Sequence, residues 1–242
     1  MKKVTLRVDV DVSNSTLIKD KLGINGGCKY FDKVLKACEE HGIKIAVMFR
    51  PLYAMPSEEI INATFEHKYE ICLHADSVSI TGLTKEKKLL EKHTRTKIEG
   101  LAYHGGDLID NLAFKVLRKE KYRGNPGTPF QAMLAGFKYD ATGYDNTPKA
   151  PTLLSMKENS TIVFQQHATI DWLPPEKIES LFKNDYTILV FHSNYLWGYG
   201  FRKPTITILE RVFNYIRKFD LEQLTFTEWI KRYGQTLQQN TG

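Results

Sequence analysis

The sequence predicts an α/β protein built as a distorted or incomplete barrel of β/α units. Short apolar segments of strand length recur along the 242 residues, and most of them are separated by segments with helical periodicity. This alternation indicates right-handed crossovers onto a mainly parallel sheet, and the number of repeats favours a barrel over a small open sheet. We expect a single domain spanning 1–242, because α/β barrels of this length commonly form one domain.

Seven segments are expected to be strands because each is apolar or β-branched and is bounded by turn residues. They are Val4–Val10, Ile43–Phe49, Tyr69–Leu73, Ile98–Tyr103, Gly136–Tyr139, Thr161–Phe164 and Thr187–Phe191. Between them, Tyr30–Glu40 has one apolar face and ends before Gly42, a residue typical of the position after a helix. Ser57 can cap the next helix. Pro174 and Pro204 are expected to begin two later helices.

The segment 122–151 departs from this alternation. Gly, Pro, Asn and Asp are dense there, and no helical periodicity is visible. We interpret the segment as a long loop that carries one strand, the predicted Gly136–Tyr139. Because long loops in compact domains are often functional, we expect it to determine much of the specificity.

Charge and composition exclude some classes of protein. The net charge is +6, but the densest basic stretch, Lys85–Lys97, alternates with Leu and Glu as a solvated helix face does, so we expect no nucleic-acid partner. No segment approaches the length that crosses a membrane. Charged residues interrupt the first apolar run, and the three cysteines show no C-x-x-C spacing. We therefore expect a cytoplasmic protein.

Polar residues stand where the predicted strands end. The carboxyl ends of parallel strands meet at one edge of a sheet, so we expect these side chains to converge. They are Asp9, Asp11, Arg50, His74, His104, Asp140, His167, Asp171 and His192. Carboxylate oxygens and neutral imidazole nitrogens are natural ligands of divalent metals. The pattern therefore predicts a metal site at this edge.

Asp9 and Asp11 are two residues apart, so an extended strand projects both carboxylates to the same face. Two such carboxylates repel each other unless a cation or a shared proton lies between them. One can bind a metal while the other takes a proton from metal-bound water, as in a hydrolase. The alternative is that the strand simply ends here and both side chains are solvated.

His74 and His192 each end an apolar run and are followed by a polar loop. Either could instead be a structural histidine that donates to a carbonyl group. The loop after His192 contains Tyr195 and Trp197, whose rings are suited to stacking on a sugar. Packing under the barrel rim is the other interpretation of these two rings.

Taken together, these motifs resemble the polysaccharide deacetylase family, which has the NodB-homology fold and corresponds to carbohydrate esterase family 4. The resemblance covers nearly the whole chain, although each motif is short. It rests on Arg7-Val8-Asp9-Val10-Asp11, His74, Asp171-Trp172, Val190-Phe191-His192 and Phe226-Thr227-Glu228-Trp229-Ile230. It implies a distorted barrel of β/α units.

The resemblance also implies roles for individual residues. Asp9 would be the general base, and His192 the general acid that protonates the leaving amine. Asp11 and His74 would bind a divalent metal, most simply zinc, which would activate water and stabilise the oxyanion. Asp171 is expected to act with the catalytic pair by holding His192 in its useful tautomer.

One family feature is missing. The position four residues after His74, where the family usually supplies a second metal-binding histidine, is Val78. We expect His104, at the end of the next strand, to be the substitute ligand. Otherwise the site has two protein ligands or has lost its metal.

The expected function is metal-dependent removal of an acyl (acetyl) group from an N-acylated sugar or related amide, in glycan or sugar-precursor metabolism. The substrate would be a small molecule or an oligosaccharide, contacted by Arg50, Asp140, Trp172, Tyr195 and Trp197. For Asp140 a solvated turn is equally compatible with the sequence. Two alternatives are a catalytically inactive carbohydrate-binding relative and a metal-dependent isomerase or aldolase, which would need a closed eight-stranded barrel.

Overall fold

The computed structural model describes residues 1–10, 31–104, 128–144, 150–193 and 206–239. In these residues ten strands form one sheet with the order β6-β7-β5-β4-β3-β2-β1-β9-β8, and β10 pairs with β1. The strands are β1 Lys3–Val10, β2 Ala46–Phe49, β3 Glu70–Ala75, β4 Gly100–Tyr103, β5 Tyr139–Tyr144, β6 Thr152–Met156, β7 Asn159–Gln166, β8 Ala168–Thr169, β9 Tyr186–His192 and β10 Glu222–Gln223. The pairing of β6 with β7 is antiparallel, and the other pairings are parallel.

Seven α-helices are present in the described residues. They are α1 Phe31–His41, α2 Glu58–Glu66, α3 Ile80–Thr94, α4 Thr128–Leu134, α5 Ile178–Leu181, α6 Ile206–Lys218 and α7 Phe226–Gln239, with short 3-10 turns at Ile170–Trp172 and Pro175–Lys177. The end signals predicted for the first two helices are confirmed. Gly42 has φ +62°, and the Ser57 side chain accepts a hydrogen bond from the Ile60 N–H.

The sheet curls into a half-barrel, so the predicted incomplete α/β barrel is confirmed. Arg7 on β1 donates a hydrogen bond to the Ala141 carbonyl on β5, although β2, β3 and β4 separate these strands in the sheet. The side chain therefore crosses the concave interior. The described strand order ends at β6 and β8 without joining them, which weakens the isomerase or aldolase alternative.

Two apolar clusters lie on the two faces of the sheet. The outer cluster packs Leu6 and Val8 of β1 with helix residues such as Val212 of α6. The inner cluster contains Cys72 and Tyr139 and is completed from α7. Alternate residues of β1 thus face opposite sides, as the period of an extended strand requires.

The interpretation of 122–151 as a loop with one strand was wrong. Helix α4 begins with Thr128-Pro129, where a proline is well tolerated, and ends before Gly136, whose φ is +75°. The predicted strand at Gly136–Tyr139 is displaced to β5, and β6 follows it. The turn formers are end signals of short elements here, and seven helical residues show too little periodicity to be recognised.

The later helices were predicted less accurately than the first two. The proline pair at 174–175 precedes only a 3-10 turn and the one-turn helix α5. Phe219 directly follows α6 and is 50% exposed, so it does not join the buried apolar face of that helix. No helix in the described part of the chain is long and apolar enough to span a membrane.

Candidate active site

The ends of two pairs of strands, β1 with β9 and β3 with β4, position the candidate site, and β2 lies between the two pairs. Asp9 near the end of β1 is in register with His192, the last residue of β9. His74 is the fifth residue of β3, and His104 directly follows β4. All four side chains converge at the carboxyl edge of the sheet, as the distances below show.

Asp9 is buried and paired with Arg7. Arg7 Nε donates to Asp9 Oδ1 at 2.7 Å, and Arg7 Nη2 lies 2.5 Å from Oδ2. Burial alone would raise the pKa of Asp9, but the guanidinium group, together with His74 and His192, holds that pKa below its usual value. The carboxylate is therefore ionised at neutral pH and fixed in orientation.

His74 and His104 bring two ring nitrogens together. His74 Nδ1 lies 3.2 Å from the Ala102 carbonyl oxygen and must donate its proton there, since a carbonyl only accepts. The Nε2 lone pair of His74 then lies 3.3 Å from Nδ1 of His104 and 3.9 Å from Oδ2 of Asp9. Without a cation, His104 Nδ1 would donate its proton to this lone pair. With that proton removed, the two nitrogens are spaced suitably for sharing a cation.

His192 is oriented by Asp171. Its Nδ1 lies 2.6 Å from Asp171 Oδ2, and the same oxygen accepts the backbone N–H of His192 at 3.0 Å. Asp171 itself follows β8 and is 7% exposed. Nε2 of His192 is 3.8 Å from Asp9 Oδ2. The imidazole thus joins a buried carboxylate on one side to the proposed base on the other.

The two imidazoles fit a bound divalent ion. Ligand nitrogens about 2.1 Å from one tetrahedral ion lie about 3.4 Å apart, close to the 3.3 Å between His74 Nε2 and His104 Nδ1. Within the described residues, no group of three His, Cys, Asp or Glu side chains is arranged to hold a metal. Asp11, the third expected ligand, lies outside those residues.

Solved structures with similar folds share this architecture. A probable polysaccharide deacetylase from Pseudomonas aeruginosa PAO1 superposes with a TM-score of 0.64 at 16% identity, over 96% of this chain and 90% of that one. A family 4 acetyl xylan esterase from Clostridium thermocellum, in complex with a cobalt ion, gives 0.56 at 14% identity, over 96% and 92%. The chain has the polysaccharide deacetylase fold.

Other chemistry is also found on the polysaccharide deacetylase fold. The Puue allantoinase structure matches with a TM-score of 0.66 at 13% identity, over 95% of this chain and 90% of that chain. No protein-family model and no curated protein sequence matches this chain. The fold alone therefore does not determine the activity.

Arg50 and Asp140 are buried, although both were expected to contact the substrate. Arg50 Nε donates to Asp76 Oδ1 at 2.7 Å, and its guanidinium carbon lies 4.4 Å from the centroid of the Tyr53 ring. Asp140 is 1% exposed, and its Oδ1 accepts from the backbone N–H and the hydroxyl of Thr142. The contacts with Thr142 are those of a turn, but the Asp140 side chain is buried and not solvated as that alternative expected. Burial raises its pKa to about 6.

The structure describes only the backbone of Trp172. The backbone of Trp172 lies in the 3-10 turn at Ile170–Trp172, beside Asp171. Tyr195 and Trp197, like Asp11, lie outside the described residues.

Arg7 and Asp76 are contacts of the site that sequence reasoning missed. Arg7 precedes Asp9 by two residues in an extended strand, so the alternation that paired Asp9 with Asp11 also places Arg7 on that face. Asp76 had no comparable signal, since its pairing with Arg50 joins two loops that follow different strands.

Proposed function

We propose that the chain is a metal-dependent amidohydrolase that removes an acyl group, most simply acetyl, from an N-acylated sugar or a related amide. The convergence of Asp9, His192 and the His74–His104 pair at the carboxyl edge of a deacetylase fold supports this most strongly. Solved structures with that fold include a probable polysaccharide deacetylase and a family 4 acetyl xylan esterase. Both names describe removal of acyl groups from carbohydrates.

The metal would be held by His74 Nε2 and His104 Nδ1, with Asp11 as the expected third ligand. Imidazole donors suit zinc among divalent ions. When bound, such an ion lowers the pKa of a water molecule and polarises the carbonyl group under attack.

Asp9 would take the proton from the attacking water. Arg7 holds the carboxylate in place through both of its oxygens and keeps it ionised, so it is ready to accept a proton at neutral pH. The same ion pair makes Asp9 a weaker base. Proton transfer to Asp9 therefore requires an attacking water whose pKa has been lowered.

His192 would donate a proton to the leaving amine from Nε2. The hydrogen bond between Nδ1 and Asp171 fixes the ring and stabilises its charged form. Nε2 of His192 and Oδ2 of Asp9 are 3.8 Å apart. Base and acid therefore lie close enough to act on one carbonyl group.

The substrate is proposed to be a small molecule or a soluble glycan precursor in the cytoplasm. Cys38 and Cys72 are buried free thiols, which suits a reducing compartment.

Hydrolysis of acetylated amino sugars tests the proposed reaction. We expect acetate release that is lost on chelation, is restored by zinc and falls at least about 10³-fold in Asp9→Asn. Asp32→Asn, on the exposed first turn of α1, is the matched control and should retain full activity. Acetate release that survives both chelation and Asp9→Asn would sink the mechanism.

A second candidate is a carbohydrate-binding relative without catalysis. It is favoured by Val78, which is 46% exposed where the family supplies a metal-binding histidine. Elemental analysis after incubation with zinc and dialysis separates the two. One equivalent of zinc that is lost in His104→Ala supports the enzyme, whereas absence of zinc in the unmodified protein supports the binding relative. Equal zinc content in His104→Ala would exclude His104 as a ligand.

A further inference from the structure

A cavity of about 410 Å³ lies at the opposite end of the strands from the candidate active site. Lys3 and Tyr186, which line it, begin β1 and β9 and are paired in register, whereas Asp9 and His192 are paired near the other end. Six residues of extended strand separate Lys3 from Asp9, a length of about 20 Å. The cavity is therefore distinct from the candidate active site, and its volume is within the range of small-molecule sites.

One wall of the cavity is aromatic. Trp229, Tyr233 and Leu237 are spaced four residues apart on α7 and all line the cavity, as residues on one helix face do. The Trp229 ring is stacked on Tyr186 at 5.6 Å and contacts Tyr233 at the same centroid distance. This row of rings is suited to packing against a flat ring.

His167 supplies a fixed hydrogen-bond donor to the cavity. Its Nδ1 accepts the Ile188 backbone N–H at 3.0 Å, so the proton of the neutral ring is on Nε2. Burial lowers the pKa of His167 to about 4, and the ring stays neutral at physiological pH. Among the described residues, none accepts a hydrogen bond from this Nε2–H.

Lys3 supplies a positive charge. It is half-buried, and its ammonium group lies 4.9 Å from the centroid of the Tyr233 ring. No carboxylate of the described residues lies within ion-pair distance of it. Asp185, the acidic residue of the cavity lining, lies on the exposed rim, where solvent screens its charge.

We propose that this cavity is a second, non-catalytic binding site for a small aromatic carboxylate. The ring of the ligand would pack against Trp229 and Tyr233. Its carboxylate would accept a hydrogen bond from His167 Nε2 and pair with the Lys3 ammonium group. No catalytic step is assigned to this site.

Titration with benzoate, followed through the indole N–H resonance of Trp229, tests the proposal. We expect a saturable shift of that resonance with benzoate, and binding at least tenfold weaker with benzamide, which lacks the charge, and with cyclohexanecarboxylate, which lacks the flat ring. Acetate release from amino sugars should be unchanged by benzoate binding. No shift of the Trp229 resonance, or equal binding of benzamide, would overturn the proposal.

Two charge-removing variants sharpen the test. Lys3→Met keeps most of the side-chain stem and should weaken benzoate binding about tenfold or more. Lys183→Met removes the same charge from an exposed residue close in sequence to the rim and should change binding less than twofold. Equal affinities for Lys3→Met and the unmodified protein would exclude the proposed carboxylate contact. Neither lysine makes an ion pair within the described residues, so both variants should fold.

Discussion

The two faces of β1 differ in what their side chains contact. Leu6 and Val8 face the helices and are almost fully buried among apolar groups. Arg7 and Asp9, which alternate with them, face the interior and make charged hydrogen bonds across it. One strand therefore contributes to the apolar core with one face and to the candidate site with the other. Substitutions on the outer face should reduce stability alone, whereas substitutions on the inner face should also change activity and its dependence on pH.

The largest expected effect is that of Arg7→Met. It leaves the buried Asp9 carboxylate without its counter-charge, which should lower the free energy of unfolding by about 3–5 kcal/mol. The pKa of Asp9 should also rise, so the acid limb of the activity profile should move to higher pH. Denaturant unfolding and kcat/KM against pH measure the two effects.

The sign of the pH dependence distinguishes this variant from ordinary destabilisation. In the unmodified protein the lowered pKa of Asp9 contributes stability that is present above its unfolded pKa of about 3.9 and is lost as pH falls through the folded pKa. In Arg7→Met the folded pKa is raised, so stability should instead fall as pH rises above about 4. An unchanged dependence on pH would show that Arg7 does not control Asp9.

Asp171→Asn should affect catalysis more than folding. The amide oxygen can still accept the His192 backbone N–H, but it no longer stabilises the charged imidazole. We expect kcat/KM to fall about 10³-fold with little change in melting temperature. Asp185→Asn, on the exposed surface, is the matched control. A loss below about threefold would remove Asp171 from the mechanism.

Val8→Ala, on the outer face of β1, should reduce stability and leave activity nearly unchanged. Removing two buried methyl groups from the outer cluster should lower the free energy of unfolding by about 2–3 kcal/mol. Activity measured well below the melting temperature should stay within about threefold, because Val8 faces away from Asp9. A large loss of kcat/KM in the fully folded variant would break the division between the two faces.

Asp140→Asn, unlike the variants above, is expected to stabilise the protein. Burial raises the pKa of Asp140 to about 6, so the folded state favours the protonated side chain. The stability that this form contributes is fully present below the unfolded pKa of Asp140 and is lost as pH rises through about 6. The neutral amide avoids this loss. Relative to the unmodified protein, the variant should gain up to about 3 kcal/mol between pH 4 and pH 7 and none below pH 4. Urea unfolding at several pH values measures the difference.

The architecture and the convergence of the site were predictable from local pattern. Strand ends could be located from apolar runs, and parallel strands bring residues such as Asp9, His74 and His192 to one edge. Contacts that depend on where loops fold could not be predicted, and the Arg50–Asp76 pair is the clearest case. Helix α4 was missed because the periodicity of seven residues is weaker than the turn signals at its ends.

The Arg7–Asp9 pair has a consequence for how the site could diverge. The proposed base and its counter-ion come from one strand, two residues apart, and form a self-contained unit. The imidazoles come from other strands, β3, β4 and β9. On the proposed mechanism, a change of metal ligand on another strand would therefore leave the Arg7–Asp9 hydrogen bonds in place. If the proposed roles hold, this separation would let the metal ligands change while the Arg7–Asp9 ion pair is kept.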